Sequence, residues 1–508
     1  MYPLLPPVLD RYANGSTPTL FGEYAHLNCY NRREIAADQG VRDIWGLGID
    51  RMWELIWASD GVLGGCYWAG IDDYFFMPSG KPVGYGEWGV VDAWRRQKPE
   101  TFLVRNTYSP VKISVPAPGS SWAPSLTVEN RFDFTDLSEV SFAWRILESG
   151  LGGQGAASGP PHTDGLVLTL ADLPPPPLTG TMQINVTSPR GFLVNAWEFP
   201  LSASAPPPGL RLFDAAAPSV TELPDGRLLI QDAAGAFSWY VDAAGSVSGN
   251  TSAGGPLLAS GPTLMVLDTN DDGGMQLTED MPPIVPFNDP LTSWVFSNRI
   301  WAVVGGSAVV TVTGAYAEAA GTYTFSFDGA ARLQAAFSFT WTQASTLNPR
   351  QIGLVFDAAP ALNSLSWRRN APWPSTYPPE HIGRPVGNGV APNAGPAPGN
   401  VTPTCSWSHD QTPLGDADFR STRHNVTAFE LASAGGDGGA SALALIADGT
   451  QHGRAWLSSD GSVRLLAAVL SNEGGNPFSR EAVLPHVTIK AGSVVDGAVV
   501  LQMGSALS

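Results

Sequence analysis

Apolar residues change their spacing near Pro110, and two kinds of structure follow from that change. Thr17-Pro18-Thr19-Leu20-Phe21 is a short apolar run ending at Gly22-Glu23, the pattern of a buried strand with a polar residue at its C-terminal end. Trp45, Ile49, Met52, Trp53 and Ile56 then recur at steps of three and four, which predicts a helix stopped by Asp60-Gly61. Val62 to Trp68 predicts a second buried strand, its glycines suited to a crowded barrel interior. Pro99 is a good first-turn residue for a second helix through Phe102 and Val104. Strand, helix, strand, helix is the order of a parallel βαβα unit.

Beyond Pro110 the pattern alternates. Leu126–Phe132, Val140–Arg145, Leu166–Leu170 and Met182–Val186 read as strands of an immunoglobulin-like sandwich, with Pro174–Pro177 as an exposed turn or edge. Ala203-Ser204-Ala205-Pro206-Pro207-Pro208-Gly209 reads as a linker. The remainder is strand after strand with glycine turns, as in Tyr323–Phe327 and Ala442–Ile446, and predicts one large two-sheet sandwich. The fold class is therefore mostly β with an N-terminal α/β segment. Its expected divisions are 1–113, 114–204 and 205–508.

Composition narrows the function classes. Apolar residues make up 43% of the 508, with 17 Trp and 21 Phe, enough for real cores and too many for a disordered chain. A formal net charge of -18 argues against nucleic acid and anionic membrane partners, and leaves neutral sugars compatible. Cys29, Cys66 and Cys405 show neither metal spacing nor a disulfide framework, and read as buried free thiols. No apolar run is long enough to span a membrane, and the N-terminus lacks a signal-peptide pattern, so a cytoplasmic location is the default expectation. Asn-x-Ser/Thr sequons at Asn14, Asn185, Asn250, Asn400 and Asn425 matter only if the chain enters a secretory route.

Candidate chemistry gathers at the first strand. Retaining glycoside hydrolysis uses one carboxylate as nucleophile and a second carboxylic acid, roughly 5 Å away, to protonate the leaving oxygen. A carboxylate at the C-terminal end of a barrel strand points to where such chemistry occurs, and Glu23 has that placement. Glu23-Tyr24-Ala25-His26, Gly64-Gly65-Cys66-Tyr67-Trp68, Tyr85-Gly86-Glu87-Trp88-Gly89, Lys98-Pro99-Glu100 and Tyr108-Ser109-Pro110-Val111 together resemble the end of the catalytic barrel in glycoside hydrolase family 2, β-galactosidase type. Val128–Leu137 resembles the first hairpin of that family's immunoglobulin-like domain. Trp367, Tyr377–Arg384 and Asp418–Asn425 resemble its small-chain domain, a galactose-mutarotase-like β-sandwich.

The resemblance implies the last two strand-helix units of a (β/α)8 barrel in 1–113, with Glu23 as the catalytic nucleophile. His26 becomes a ligand of a sugar hydroxyl, Trp68 an aromatic platform under the sugar ring, and Tyr2 the tyrosine that hydrogen-bonds the nucleophile. Asp72 and Asp73 contact substrate or cap the next loop, and His381 organises a loop. The family's general acid/base follows an Asn on an earlier strand, which would precede Met1, and Asn472-Glu473 lies in the wrong domain to replace it. The magnesium ligands also lie upstream, so no cofactor is identifiable in this chain, and magnesium is implied only for the complete enzyme. Trp88 stands where a sodium-binding Asn is expected, and Phe478 where a Trp reaches the sugar site.

The implied activity is hydrolysis of terminal β-galactosides, with this chain as a C-terminal part that is inactive alone. Its implied partners are a galactoside or other carbohydrate, and either a second copy or a complementing N-terminal fragment. The alternative is a non-catalytic carbohydrate-binding or scaffold protein that keeps the two sandwiches.

Overall fold

The computed structural model describes residues 15–25, 38–77, 82–86, 88–114, 125–175, 178–201, 217–253, 255–268, 290–370, 381–384, 386–388, 421–433, 441–458, 461–472 and 487–507. Among them the protein is mostly β, with α-helix confined to the N-terminal segment. In that segment β1 (Thr19–Tyr24) and β2 (Val62–Tyr67) pair in parallel, with α1 (Gly40–Trp57) between them in the chain. Phe21 lies opposite Gly65, where a Cβ would meet Phe21 at 3.0 Å, so glycine there lets the strands pair closely.

Of the predicted stripe, helix α1 buries Trp45, Ile49, Met52 and Ile56 and leaves Trp53 half-buried against the same core, with Val41 and Ile44 buried beside them. Its last turn closes through the Ala58 N–H on the Glu54 carbonyl and the Ser59 hydroxyl on the Leu55 carbonyl. The chain continues through a hairpin of β3 (Asp73–Phe76) and β4 (Pro82–Gly86) to α2 (Thr101–Thr107). The hairpin is an addition to the predicted order. Among the described residues the parallel sheet has two strands, and no closed barrel is formed.

Seven antiparallel strands follow: β5 (Val111–Ser114), β6 (Ser125–Asn130), β7 (Ser141–Ile146), β8 (Gly152–Ala156), β9 (Thr163–Leu170), β10 (Thr181–Thr187) and β11 (Leu193–Pro200). Alternate residues point inward, and Val128, Phe142, Trp144, Leu168, Ile184 and Trp197 share one core.

From Ser219 to Met503, sixteen strands among the described residues form the large sandwich. Its hydrogen bonding is continuous because long strands change partners along their length. Pro256–Asp268 pairs with Val247–Thr251 near its start and with Pro349–Ala358 over most of its length. Ala442–Leu457 pairs with Arg423–Ala432, Val463–Ser471 and Val494–Met503. Trp239, Phe325, Phe339, Phe356, Trp367 and Leu445 meet in a single core.

Helix α1 is the element that both sheets grip. Near its C-terminus Glu54 accepts two bonds of 2.8 Å from Arg131, whose guanidinium also lies 5.0 Å from the Trp57 ring. Its N-terminus is held by the large sandwich through ion pairs described below.

Candidate functional site

Parallel pairing brings the C-terminal ends of β1 and β2 to the same side. Glu23 is half-buried, one residue before the end of β1, and Trp68, also half-buried, directly follows β2. The Trp68 N–H donates to the Tyr24 carbonyl at 3.0 Å, extending the pairing beyond β2. Ala25 then takes φ 57°, so the chain turns two residues after Glu23. The Trp45 indole N–H donates to the Ala25 carbonyl at 3.3 Å and holds that turn against α1. The Tyr24 hydroxyl is hydrogen-bonded to that of Tyr108, whose ring centroid lies 4.7 Å from that of Trp53.

Glu23 and Trp68 are thus the two expected site residues that share one end of the sheet. Tyr2 and His26 lie outside the described residues, as does Glu87. Asp72 is buried, ion-paired with Lys98, and accepts the Gly89 N–H at 2.9 Å, so its carboxylate organises the loop after β2. Trp88 belongs to the core. His381 accepts the Gly383 N–H at 2.9 Å through Nδ1 and packs edge-on to Phe102, in the loop role expected of it. Cys66 is a free thiol but an exposed one, against the expectation of burial; among the described residues β2 is an edge strand. Cys29 and Cys405 fall outside the described residues.

Behind the strand ends lies a buried layer of charge. Asp38, just before α1, accepts from the Arg350 guanidinium at 2.7 Å, the Thr422 N–H at 2.7 Å, the Thr422 hydroxyl at 2.6 Å and the Gly40 N–H at 2.9 Å. Asp43 accepts from Arg369 at 2.7 Å, and Arg42 donates to Glu100 at 2.7 Å. Gln351 accepts from Arg350 at 3.0 Å and donates to Thr422 at 2.8 Å and Ser471 at 3.0 Å. Ser471 reaches His424 Nε2 at 3.2 Å, and the His452 ring lies 5.2 Å from that of His424. Asn425 donates its N–H to His452 Nδ1 at 3.1 Å, which makes that nitrogen an acceptor.

Burial opposes ionisation of Asp38, but the charges of Arg350 and Arg454 and the bonds from Thr422 overcome it, holding the carboxyl well below its ordinary value. Burial pushes His424 well down, with His452 adding to the effect, and pushes His452 down to about 4, with the Arg369 charge adding to it. Burial raises the Tyr67 phenol far above the ordinary tyrosine value; Glu100 reinforces the rise and Arg42 opposes it.

Sequence reasoning did not find this layer. Asp38, Asp43, Arg350 and Arg369 are scattered polar residues, and acids in a first helical turn normally read as solvated partners of the helix dipole. The one available signal was Ser421-Thr422-Arg423-His424 entering a strand of otherwise apolar pattern. Among the described residues no group of three or more His, Cys, Asp or Glu side chains is placed to hold a metal ion. No helix among them is long and apolar enough to cross a membrane.

No protein-family model and no curated protein matches the chain. Solved structures similar to it include a galactosidase domain, a mannosidase and a sugar epimerase. The galactosidase domain of an α-galactosidase-sucrose kinase is 11% identical with a TM-score of 0.30, over 57% of this chain and 42% of that one. An α-mannosidase from Enterococcus faecalis V583 is 7% identical with a TM-score of 0.31, over 77% of this chain and 42% of that one. A galactose 1-epimerase from Lactobacillus acidophilus NCFM is 10% identical with a TM-score of 0.26, over 57% of this chain and 98% of that one. The chain therefore spans less than half the length of the galactosidase and of the mannosidase.

Proposed function

We propose that this chain is the C-terminal part of a retaining β-galactosidase of glycoside hydrolase family 2, with Glu23 as its nucleophile. The reading rests chiefly on the register of β1 and β2, in which the Trp68 N–H on the Tyr24 carbonyl keeps the backbone of Trp68 beside the strand end that carries Glu23, with the Trp68 side chain half-buried against the core. In this reading Trp68 offers its face to the C–H face of the sugar ring, while His26 and Tyr2 contact the sugar and the nucleophile. Residues 1–113 are the end of the barrel, 114–204 the immunoglobulin-like domain and 205–508 the small-chain sandwich.

Chemically, the Glu23 carboxylate attacks the anomeric carbon as the glycosidic C–O bond breaks, and water then releases the sugar from the resulting ester. The leaving oxygen needs a proton, and in this proposal the donor is a carboxylic acid on a segment outside these 508 residues. General acid catalysis is worth about 10²–10⁴-fold, and the positioning lost with the other barrel strands adds to that even for a good leaving group, so the chain alone is expected to be inactive. Leu20 and Leu63, 63% and 71% exposed on a parallel pair, support a further layer of structure packed on this sheet, as the rest of a barrel would supply, since parallel sheets are covered on both faces.

Nitrophenol release from a nitrophenyl β-galactoside tests the proposal. The purified chain should release none. Addition of a polypeptide with the other strand-helix units and the acid should give turnover that Glu23→Gln abolishes. Galactose binding by a chain lacking 1–113 would favour a non-catalytic carbohydrate-binding protein instead.

A further inference from the structure

We propose that the large sandwich aims the end of β1 that carries Glu23, with Asp38, Arg350, Thr422 and Trp45 as positioning residues. The inference rests on the glycosidase reading for its purpose, but not for its physical content. The path is continuous. Arg350 and Thr422, on the sandwich, hold both oxygens of Asp38, and Asp38 holds the Gly40 N–H at the start of α1. Five residues beyond Gly40, Trp45 reaches from α1 to the Ala25 carbonyl. Ala25 follows Tyr24, whose carbonyl takes the Trp68 N–H. Four hydrogen-bonded steps thus connect the sandwich to the backbone around both expected site residues.

Two further features give the path stiffness. Gly40 admits the sandwich backbone so closely that a Cβ there would stand 2.4 Å from the Thr422 carbonyl oxygen. Asp43, one turn into α1, is held by Arg369, which also donates to the Ile382 carbonyl, so α1 is gripped at two points and cannot pivot about Asp38 alone. Every charged group in these pairs is buried, so neither the geometry nor its strength depends on salt as a surface pair would. A carboxylate that attacks carbon must be held within a fraction of an ångström, so the backbone that carries it must itself be fixed. The sandwich contributes to that through α1.

Backbone hydrogen exchange on the full-length chain tests the coupling without any sugar. Arg350→Met should speed exchange about tenfold or more in both 40–57 and 62–69, the loss expected for a buried charge-assisted bond, while the hairpin 319–341 stays unchanged. Arg350→Lys should restore part of that protection. Trp45→Phe keeps the packing and removes one N–H; it should speed exchange roughly threefold or more at 62–69 and leave 40–57 protected. Should Arg350→Met fail to fold, Thr422→Val removes one bond to Asp38 and should give the same pattern more weakly. The proposal is overturned if Trp45→Phe leaves 62–69 unchanged, or if Arg350→Met and Thr422→Val affect α1 without affecting 62–69. Failure of the galactosidase assay leaves this exchange pattern standing, so the two ideas fail separately.

Discussion

Arg350 and Asp38 are 312 residues apart in the chain and 2.7 Å apart in the fold, both fully buried. Their contact joins the large sandwich to the helix that follows the Glu23 strand. Removing one partner of such a pair leaves an uncompensated charge where water cannot reach it. Arg350→Met is therefore expected to destabilise the docking of α1 by about 3–5 kcal/mol, read from the denaturant midpoint of the unfolding step that includes α1. Adding Asp38→Asn should recover part of that loss, because the second change removes the stranded charge.

Gly40→Ala decides between two opposed effects. Alanine in a helix is normally favoured over glycine by about 1 kcal/mol. Here the new methyl would stand 2.4 Å from the Thr422 carbonyl oxygen and 2.9 Å from Asp38 Oδ1. Backbone against backbone cannot yield as a flexible side chain would, so a net loss of about 1–3 kcal/mol is expected from urea unfolding. A gain in stability would show that the helix and sandwich separate easily.

Acid should weaken the chain before its carboxylates titrate. His452 has an ordinary value of 6.5 and a folded value of about 4, so between these the unfolded chain binds a proton that the folded chain excludes. The stability it contributes is complete above about pH 6.5 and falls as pH drops to about 4, by roughly 3 kcal/mol in all. His424, facing His452, Asp38, Arg350 and Arg369, shifts in the same direction and adds to the loss. Unfolding midpoints measured from pH 7 to pH 4 should fall, and His452→Gln should flatten the curve. Asp38 acts lower: its carboxyl is held down, so its contribution is present above about 3.8 and is lost as pH falls below that.

The other end of α1 offers a milder contrast. The Arg131–Glu54 pair is bidentate, but Glu54 is partly open to solvent, which screens it. Arg131→Gln should cost about 1 kcal/mol, with the loss reduced in high salt. Arg350→Met should show no such salt dependence.

Local pattern carried much of the fold. The stripe Trp45, Ile49, Met52 and Ile56 is the buried face of α1, and the alternating runs around Phe142 and Ile184 are strands of one core. Periodicity works there because burial on one face is a property of neighbouring residues. It could not reveal that Asp38 and Asp43 bind Arg350 and Arg369, since a pair made across hundreds of residues leaves no local signature. The glycine-rich Gly152–Ala156 was missed for a related reason: it is a strand by its partners Phe142 to Arg145, with few β-forming side chains of its own. At the site, motif spacing pointed to Glu23 and Trp68, and parallel pairing brings their strand ends together. Tyr2 and His26 remain expectations from resemblance.

The nucleophile assignment is tested most directly by trapping. A galactosyl donor with fluorine at C2 and a good leaving group forms the enzyme ester but releases it slowly. The chain, supplied with a segment carrying the remaining strands and the acid, should gain the mass of one sugar on the peptide that contains Glu23, and Glu23→Gln should gain none. Labelling of another carboxylate, or undiminished galactoside turnover by Glu23→Gln, would contradict the account.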